Sequence, residues 1–221
     1  MPGMYFLLVL DLLGIPQLIN IQYPTNEAIM VVMFVIFSYI IGTLIQESAS
    51  YLEKKLINLR EKAESNYLTD TKEGHLSGEV LEKAKQIVQL KANGDINNIT
   101  RGNCRDTFFE LKTYLENHEK MGKANELDAM FAMSRDLFVC NLIIGLYLGI
   151  NCICKRAINS IEIAFLIYTV VSLLILTGRA YRYAKMRVRT IIRQYISLTE
   201  EKTSIDNTAE ENTSQPHDKL N

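Results

Sequence analysis

The chain has 221 residues, 24 Lys and Arg against 25 Asp and Glu, and a formal net charge of -1. That balance excludes a polybasic protein drawn to nucleic acid by its global charge. Apolar residues are 48% and charged residues 22%, ordinary values for a soluble domain, but they are segregated. Four windows hold nearly all the long apolar runs, while the stretch from Glu47 to Arg135 and the residues after Gly178 hold nearly all the charge. This unevenness predicts an all-α transmembrane protein, with four spans and a cytoplasmic helical bundle inserted between spans 2 and 3.

The first apolar window, Met4 to Ile21, is interrupted by Asp11 and followed by Gly14, Pro16, Gln17 and Asn20. A cleaved signal peptide would place Lys or Arg before the apolar run, and residues 1–5 contain neither. A full crossing and a re-entrant helix both fit. The crossing is preferred because an even number of spans agrees with the charge bias below. The second window, Ala28 to Ile45, is uncharged. At 1.5 Å per residue it is about 27 Å long, enough for a hydrocarbon core of roughly 30 Å. Residues 1–46 are thus expected to form a transmembrane hairpin with spans at about 4–21 and 28–45.

Residues 47–136 read as the cytoplasmic domain. Leu52, Leu56, Leu59 and Ala63 form an i, i+4, i+7, i+11 stripe, which predicts that the second span continues outward as a helical stalk. Leu81, Ala84 and Val88 mark a second helix, stopped by KANGDINN. A third has Cys104, Phe108, Leu111 and Leu115 on one face, and a fourth starts near Lys123 and runs through Leu127, Met130 and Phe131 into the next span. Arg135 stands where it can snorkel to phosphates. No alternating strand pattern occurs.

The third and fourth windows, Leu137 to Cys154 and Ile161 to Gly178, form a second hairpin over 137–178, with Glu162 at headgroup level. Residues 179–198 follow as a basic amphipathic helix. Arg179, Arg182, Arg189 and Arg193 make one stripe, and Ala184, Val188, Ile191 and Tyr195 an apolar stripe beside it. Such a helix marks topology and binds anionic lipid at the surface. The alternative is that its arginines meet phosphates of a nucleotide or nucleic acid, or an acidic partner domain; nucleic acid is the less expected of these. The polar tail, 199–221, is expected to be disordered.

Sidedness follows from Lys and Arg in short flanks. Arg179 to Arg193 contains six basic residues and no acid, and Lys54, Lys55, Arg60 and Lys62 follow the second span. Both regions are expected on the cytoplasmic side of a cell inner membrane, with both termini cytoplasmic. The segment from Gln22 to Glu27 carries no base, as an outer loop should; Lys155 and Arg156, in the other outer loop, oppose the scheme and are outvoted.

No stretch carries a recognisable catalytic chemistry. Cys104, Cys140, Cys152 and Cys154 include no CxxC, and His75, His118 and His217 show no HExxH or HxH spacing. Phosphate-cradling and nucleophile-elbow motifs are missing. Neither an enzyme nor a cofactor or metal is expected. The candidate positions are therefore polar groups at membrane depth and small residues in register. Asp11 is either a proton or cation site or a sign that the first window does not span. Asn141 and Asn151 can hydrogen-bond between helices. Ser38 with Gly42, and Asn141 with Gly145 and Gly149, allow close helix approach within one chain or between copies.

The order of parts resembles small multi-pass bacterial inner-membrane proteins with a helical cytoplasmic insert, some of them membrane components of antiphage defence. The features that carry the resemblance are SYIIG at Ser38 to Gly42, FAMSRDL at Phe131 to Leu137, and the arginine-rich exit after Gly178. The match is one of architecture and transfers no functional residue. Two functions are expected from different classes. One is a membrane sensor or effector subunit that self-associates and receives a signal or a cytoplasmic protein partner. The other is a small ion channel or transporter using Asp11.

Overall fold

The computed structural model of the chain describes residues 2–12, 27–68, 76, 78–92, 100–154 and 160–213. Every regular element among them is helical: α1 (Pro2–Leu12), α2 (Glu27–Leu52), a π turn (Glu53–Ile57), α3 (Leu59–Ser65), α4 (Glu79–Ala92), α5 (Arg101–Asn117), α6 (Gly122–Cys154) and α7 (Ser160–Thr213). Three helices among the described residues are long and apolar enough to cross a membrane, over Glu27–Lys55, Gly122–Cys154 and Ile163–Ser204. A helix is the form such runs take in lipid, where each backbone N–H must find its acceptor within the same segment. The apolar α1 has 11 residues, a length of about 16 Å. The rest of the first window, residues 22–26 of the loop expected on the outer side, the breaker-rich 93–99 and the basic pair at 155–156 lie outside the described residues.

The stalk expected beyond the second span is not a straight helix. After the π turn, Asn58 adopts a left-handed conformation (φ 48°, ψ 35°) and donates its N–H to Glu53 O at 2.7 Å. Asn is among the few residues that tolerate this conformation as a helix C-cap. The buried Glu53 carboxylate then accepts the Arg60 N–H at 3.1 Å, capping the next helix. Periodicity continued through the sequence here because both helices have apolar faces, but Asn58 resets the axis.

Two compact units account for the chain: Met1–Arg60 with Asp128–Ala184, and Glu61–Leu127 with Lys185–Asn221. The helix after Ala184 is a member of the second unit, because Val188, Ile191 and Ile192 are buried in its core with Phe108, Leu111 and Leu115.

In the first unit, the core holds Gly3, Ile45, Ala49, Val139, Cys140, Ile144, Leu148, Thr169 and Leu176. Its apolar outer surface is broad: Val31, Val35, Tyr39, Leu146, Ile150, Ile167 and Leu174 are all exposed, as lipid-facing residues are. In the second unit, α5 presents the expected face, with Cys104, Phe108, Leu111 and Leu115 buried and Thr107 beside them. Thr100 caps α5 by accepting the Asn103 N–H at 3.2 Å. At its far end Glu119 turns left-handed (φ 54°) and the Lys120 N–H returns to Leu115 O at 3.0 Å, so α6 can start three residues later. The polar stretch from Thr199 is helical as far as Thr213, contrary to the disorder expected from composition. Lys202 and Glu200 tie it down by bonding to Tyr114 and Lys83. Residues 214–221 lie outside the described ones.

Candidate functional site

At membrane depth in the first unit, the asparagine on α6 is engaged. Asn141 is buried, accepts the Tyr5 hydroxyl at 2.9 Å on Oδ1, and donates from Nδ2 to Leu137 O at 3.0 Å. Both halves of its amide are thereby satisfied, so its role is to join α1 to α6. Asn151 is half-buried near the end of α6, and Asp11 is exposed at the end of α1. The structure brings neither to Asn141. One small cavity lies in this unit, about 20 Å³, bounded by Phe131, Phe138, Leu176 and Arg135. It has room for about one water.

The small residues do different work from one another. A Cβ placed on Gly3 would collide with the Ser38 carbonyl oxygen and stand 2.7 Å from Gly42 N and 2.9 Å from Gly42 Cα. Ser38 and Gly42 are thus the floor on which α1 rests. Gly145 faces Thr169, whose Cγ2 would be 2.8 Å from an added Cβ. Gly149 has nothing within 4 Å of that position and remains available on the surface of its unit. Sequence reasoning missed Gly3 and Tyr5. A glycine at the start of a short helix carries no periodic signal, and its partners lie far along the chain.

The four arginines of the basic stripe divide between the units. Arg179 and Arg182 belong to the first and are exposed; Arg179 Nε donates to Tyr183 Oη at 3.2 Å, with its guanidinium 5.4 Å from that ring's centroid. An exposed Lys55 pairs likewise with Tyr51 four residues before it, donating to its hydroxyl at 3.0 Å. Cations laid on tyrosines in this way suit a membrane-water boundary. Arg189 and Arg193 belong to the second unit, half-buried and exposed respectively. The apolar stripe that would have rested on lipid is used inside the protein, since Ala184, Val188 and Ile191 are buried.

Another arginine of α7, outside that stripe, is buried. Arg187 is 2% exposed, its Nη1 donates to Glu64 Oε1 at 2.7 Å, and its guanidinium stands 5.6 Å from the Phe108 ring centroid. Its helical phase was the available signal: Ala184, Arg187 and Ile191 stand at i, i+3 and i+7, so the charge sits on the apolar face. Nearby, the Tyr67 hydroxyl donates to Cys104 O at 3.1 Å. Burial pushes the Tyr67 hydroxyl well above its usual range and the Cys104 thiol up to about 11. A thiol so placed is a poor nucleophile. Cys140 is buried, Cys152 half-buried and Cys154 exposed.

Also in the second unit, a cleft of about 190 Å³ is lined by α4 and α7, with Lys83 and Arg193 on its walls. Lys83 Nζ lies 2.6 Å from both Glu79 Oε1 and Glu200 Oε1. Farther along α7, Lys202 Nζ donates to the Tyr114 hydroxyl at 2.9 Å and stands 3.3 Å from His118 Nε2. The described residues include no group of three or more His, Cys, Asp or Glu side chains placed to hold a metal ion. Comparisons with protein-family models, curated proteins and solved structures find no match for this chain.

Proposed function

We propose that this chain is an integral membrane sensor or effector subunit that self-associates in a bacterial inner membrane and receives a signal or partner through its helical bundle. The observation that carries the reading is the continuity of α6 and α7. Each begins or ends in an apolar segment of the first unit and extends, without a break, into residues that belong to the second.

Self-association is assigned to the open face around Gly149, since Ser38, Gly42 and Gly145 are occupied by contacts within the chain. The full chain extracted in mild detergent should run as an oligomer when its mass is measured by light scattering. Gly149→Leu should lower that mass, and Gly149→Ala should not. A monomeric wild-type chain would overturn the reading. The rival reading, a channel or transporter, relies on the exposed carboxylate of Asp11 on an otherwise apolar helix. Asp11→Asn should abolish ion flux in a channel and leave a signalling assembly working.

A further inference from the structure

We infer that the cleft beside Arg193 binds a phosphate monoester, and that the Glu200 carboxylate holds the anion position when the ligand is away. The inference deepens the sensor reading by naming the chemistry of a signal, and rests on that reading for its biological sense. The binding itself is measured without it.

Four groups converge on the cleft. Arg193 and Ser197 are one turn apart on α7, Lys83 faces them from α4, and Ile196 supplies an apolar wall. Arg193 is exposed and makes no ion pair or hydrogen bond among the described residues, unlike Arg187 and Arg189 of the same helix. Lys83, held up to about 12 by its two carboxylates, stays an ammonium at neutral pH. A guanidinium fork, an ammonium and a hydroxyl are a donor set that suits the three terminal oxygens of a phosphate monoester: two on the fork, and the third between the point charge and the hydroxyl.

The cleft already holds an anion of its own. Glu200 reaches Lys83 from the far end of a helix, and its Oε1 stands 2.6 Å from Nζ, where a phosphate oxygen would sit. Its side chain is 56% exposed, so the pair is screened by water and readily exchanged. Glu79 also contacts Lys83, at 2.6 Å, and is retained when the ligand binds. With Glu200 turned out to solvent, two cations and one carboxylate remain. That net positive charge favours the dianionic monoester over a carboxylate.

The source of the phosphate can be a soluble monoester or a phosphatidic acid headgroup, and the two are separated by competition. The full chain in mild detergent is titrated with inorganic phosphate by calorimetry, with helicity checked by circular dichroism. Arg193→Gln should weaken binding at least about tenfold and Arg193→Lys by a smaller factor, because the lysine keeps the charge and loses the fork. Glu200→Gln should tighten it by about threefold, through removal of a screened surface pair. Repeating the titration in nanodiscs of phosphatidylcholine, with and without phosphatidic acid, assigns the source: competition by the lipid points to the headgroup, its absence to a free monoester. Equal affinity of wild type and Arg193→Gln, weaker binding by Glu200→Gln, or no binding by either wild type or Glu200→Gln would overturn the site. Such a failure leaves the oligomer test at Gly149 untouched. Conversely, a monomer that still binds phosphate would overturn self-association alone.

Discussion

Gly3 and Gly42 meet in one contact but are not equivalent. The Cβ of an alanine at position 3 would point at backbone atoms of Ser38 and Gly42, which cannot rotate away; at position 42 it would find Gly3 N at 3.5 Å and Cα at 3.7 Å, ordinary van der Waals distances. Gly3→Ala should therefore force α1 off α2, at a cost of about 1–3 kcal/mol for overpacking, and weaken the Tyr5–Asn141 bond beside it. Gly42→Ala should be near neutral. The midpoint of thermal inactivation in detergent reads both; equal losses would show that α1 does not pack as described. Small residues at Ser38, Gly42, Gly145 and Gly149 were legible in the sequence as a class. Which of them face another helix was not, since that depends on Gly3 and Thr169, residues with no motif linking them to their partners.

Among the elements, α7 was legible in its chemistry and not in its surroundings. The alternation of arginine and apolar stripes gives an amphipathic helix whether its apolar side rests on lipid or on protein, and hydropathy alone does not choose. The chain resolves this with α5, whose own face of Cys104, Phe108, Leu111 and Leu115 requires a cover. Asn58 illustrates the opposite case: a single residue ends a pattern that reads as continuous, because the left-handed cap is a backbone choice unseen by periodicity. The buried Arg187–Glu64 pair then tests the packing of α7. Removing one partner from such a pair typically costs about 3–5 kcal/mol, because the other charge stays desolvated, whereas replacing both with apolar groups is often tolerated. Glu64→Gln should lower the melting temperature clearly, and the double change Glu64→Leu with Arg187→Met should recover most of the loss. A double variant as unstable as Glu64→Gln would show that the pair's geometry, rather than uncompensated charge, sustains the core. Titration of Cys104 adds a pH signature. Its thiol is held up to about 11 against an ordinary 9.0, so the folded chain keeps a proton that the unfolded chain releases. Stability contributed by this group is complete below pH 9 and falls as pH rises from about 9 to 11. Cys104→Val should flatten that part of an alkaline unfolding profile followed by circular dichroism.

For the whole molecule, the number of crossings turns on the N-terminus. Among the described residues three helices are long enough to span; a fourth crossing requires α1 and the residues after it. If only three cross, the start of the chain and the arginine-rich exit lie on opposite sides; if four cross, they share one side. Two contacts within the first unit bear on the choice. Gly3 rests on Ser38 and Gly42, close to where α2 leaves its apolar run, and Tyr5 bonds Asn141, close to where the apolar run of α6 begins. Both neighbours are flanked by the basic segments that the arginine and lysine bias assigns to the cytoplasm. On the proposed sidedness the start of α1 lies on the same side as those ends, and the proposal predicts four crossings. A cysteine-free version with single cysteines at Thr25, Gly94 or Ser204, or in a short tag before Met1, decides it with a membrane-impermeant thiol reagent on intact cells. Thr25 should label; Gly94, Ser204 and the tag should label only after permeabilisation. Labelling of the tag together with Thr25 in intact cells would reduce the count to three and leave α1 outside the bilayer's inner half, which the Gly3 and Asn141 contacts could not then satisfy. Labelling at Gly94 would reverse the sidedness altogether.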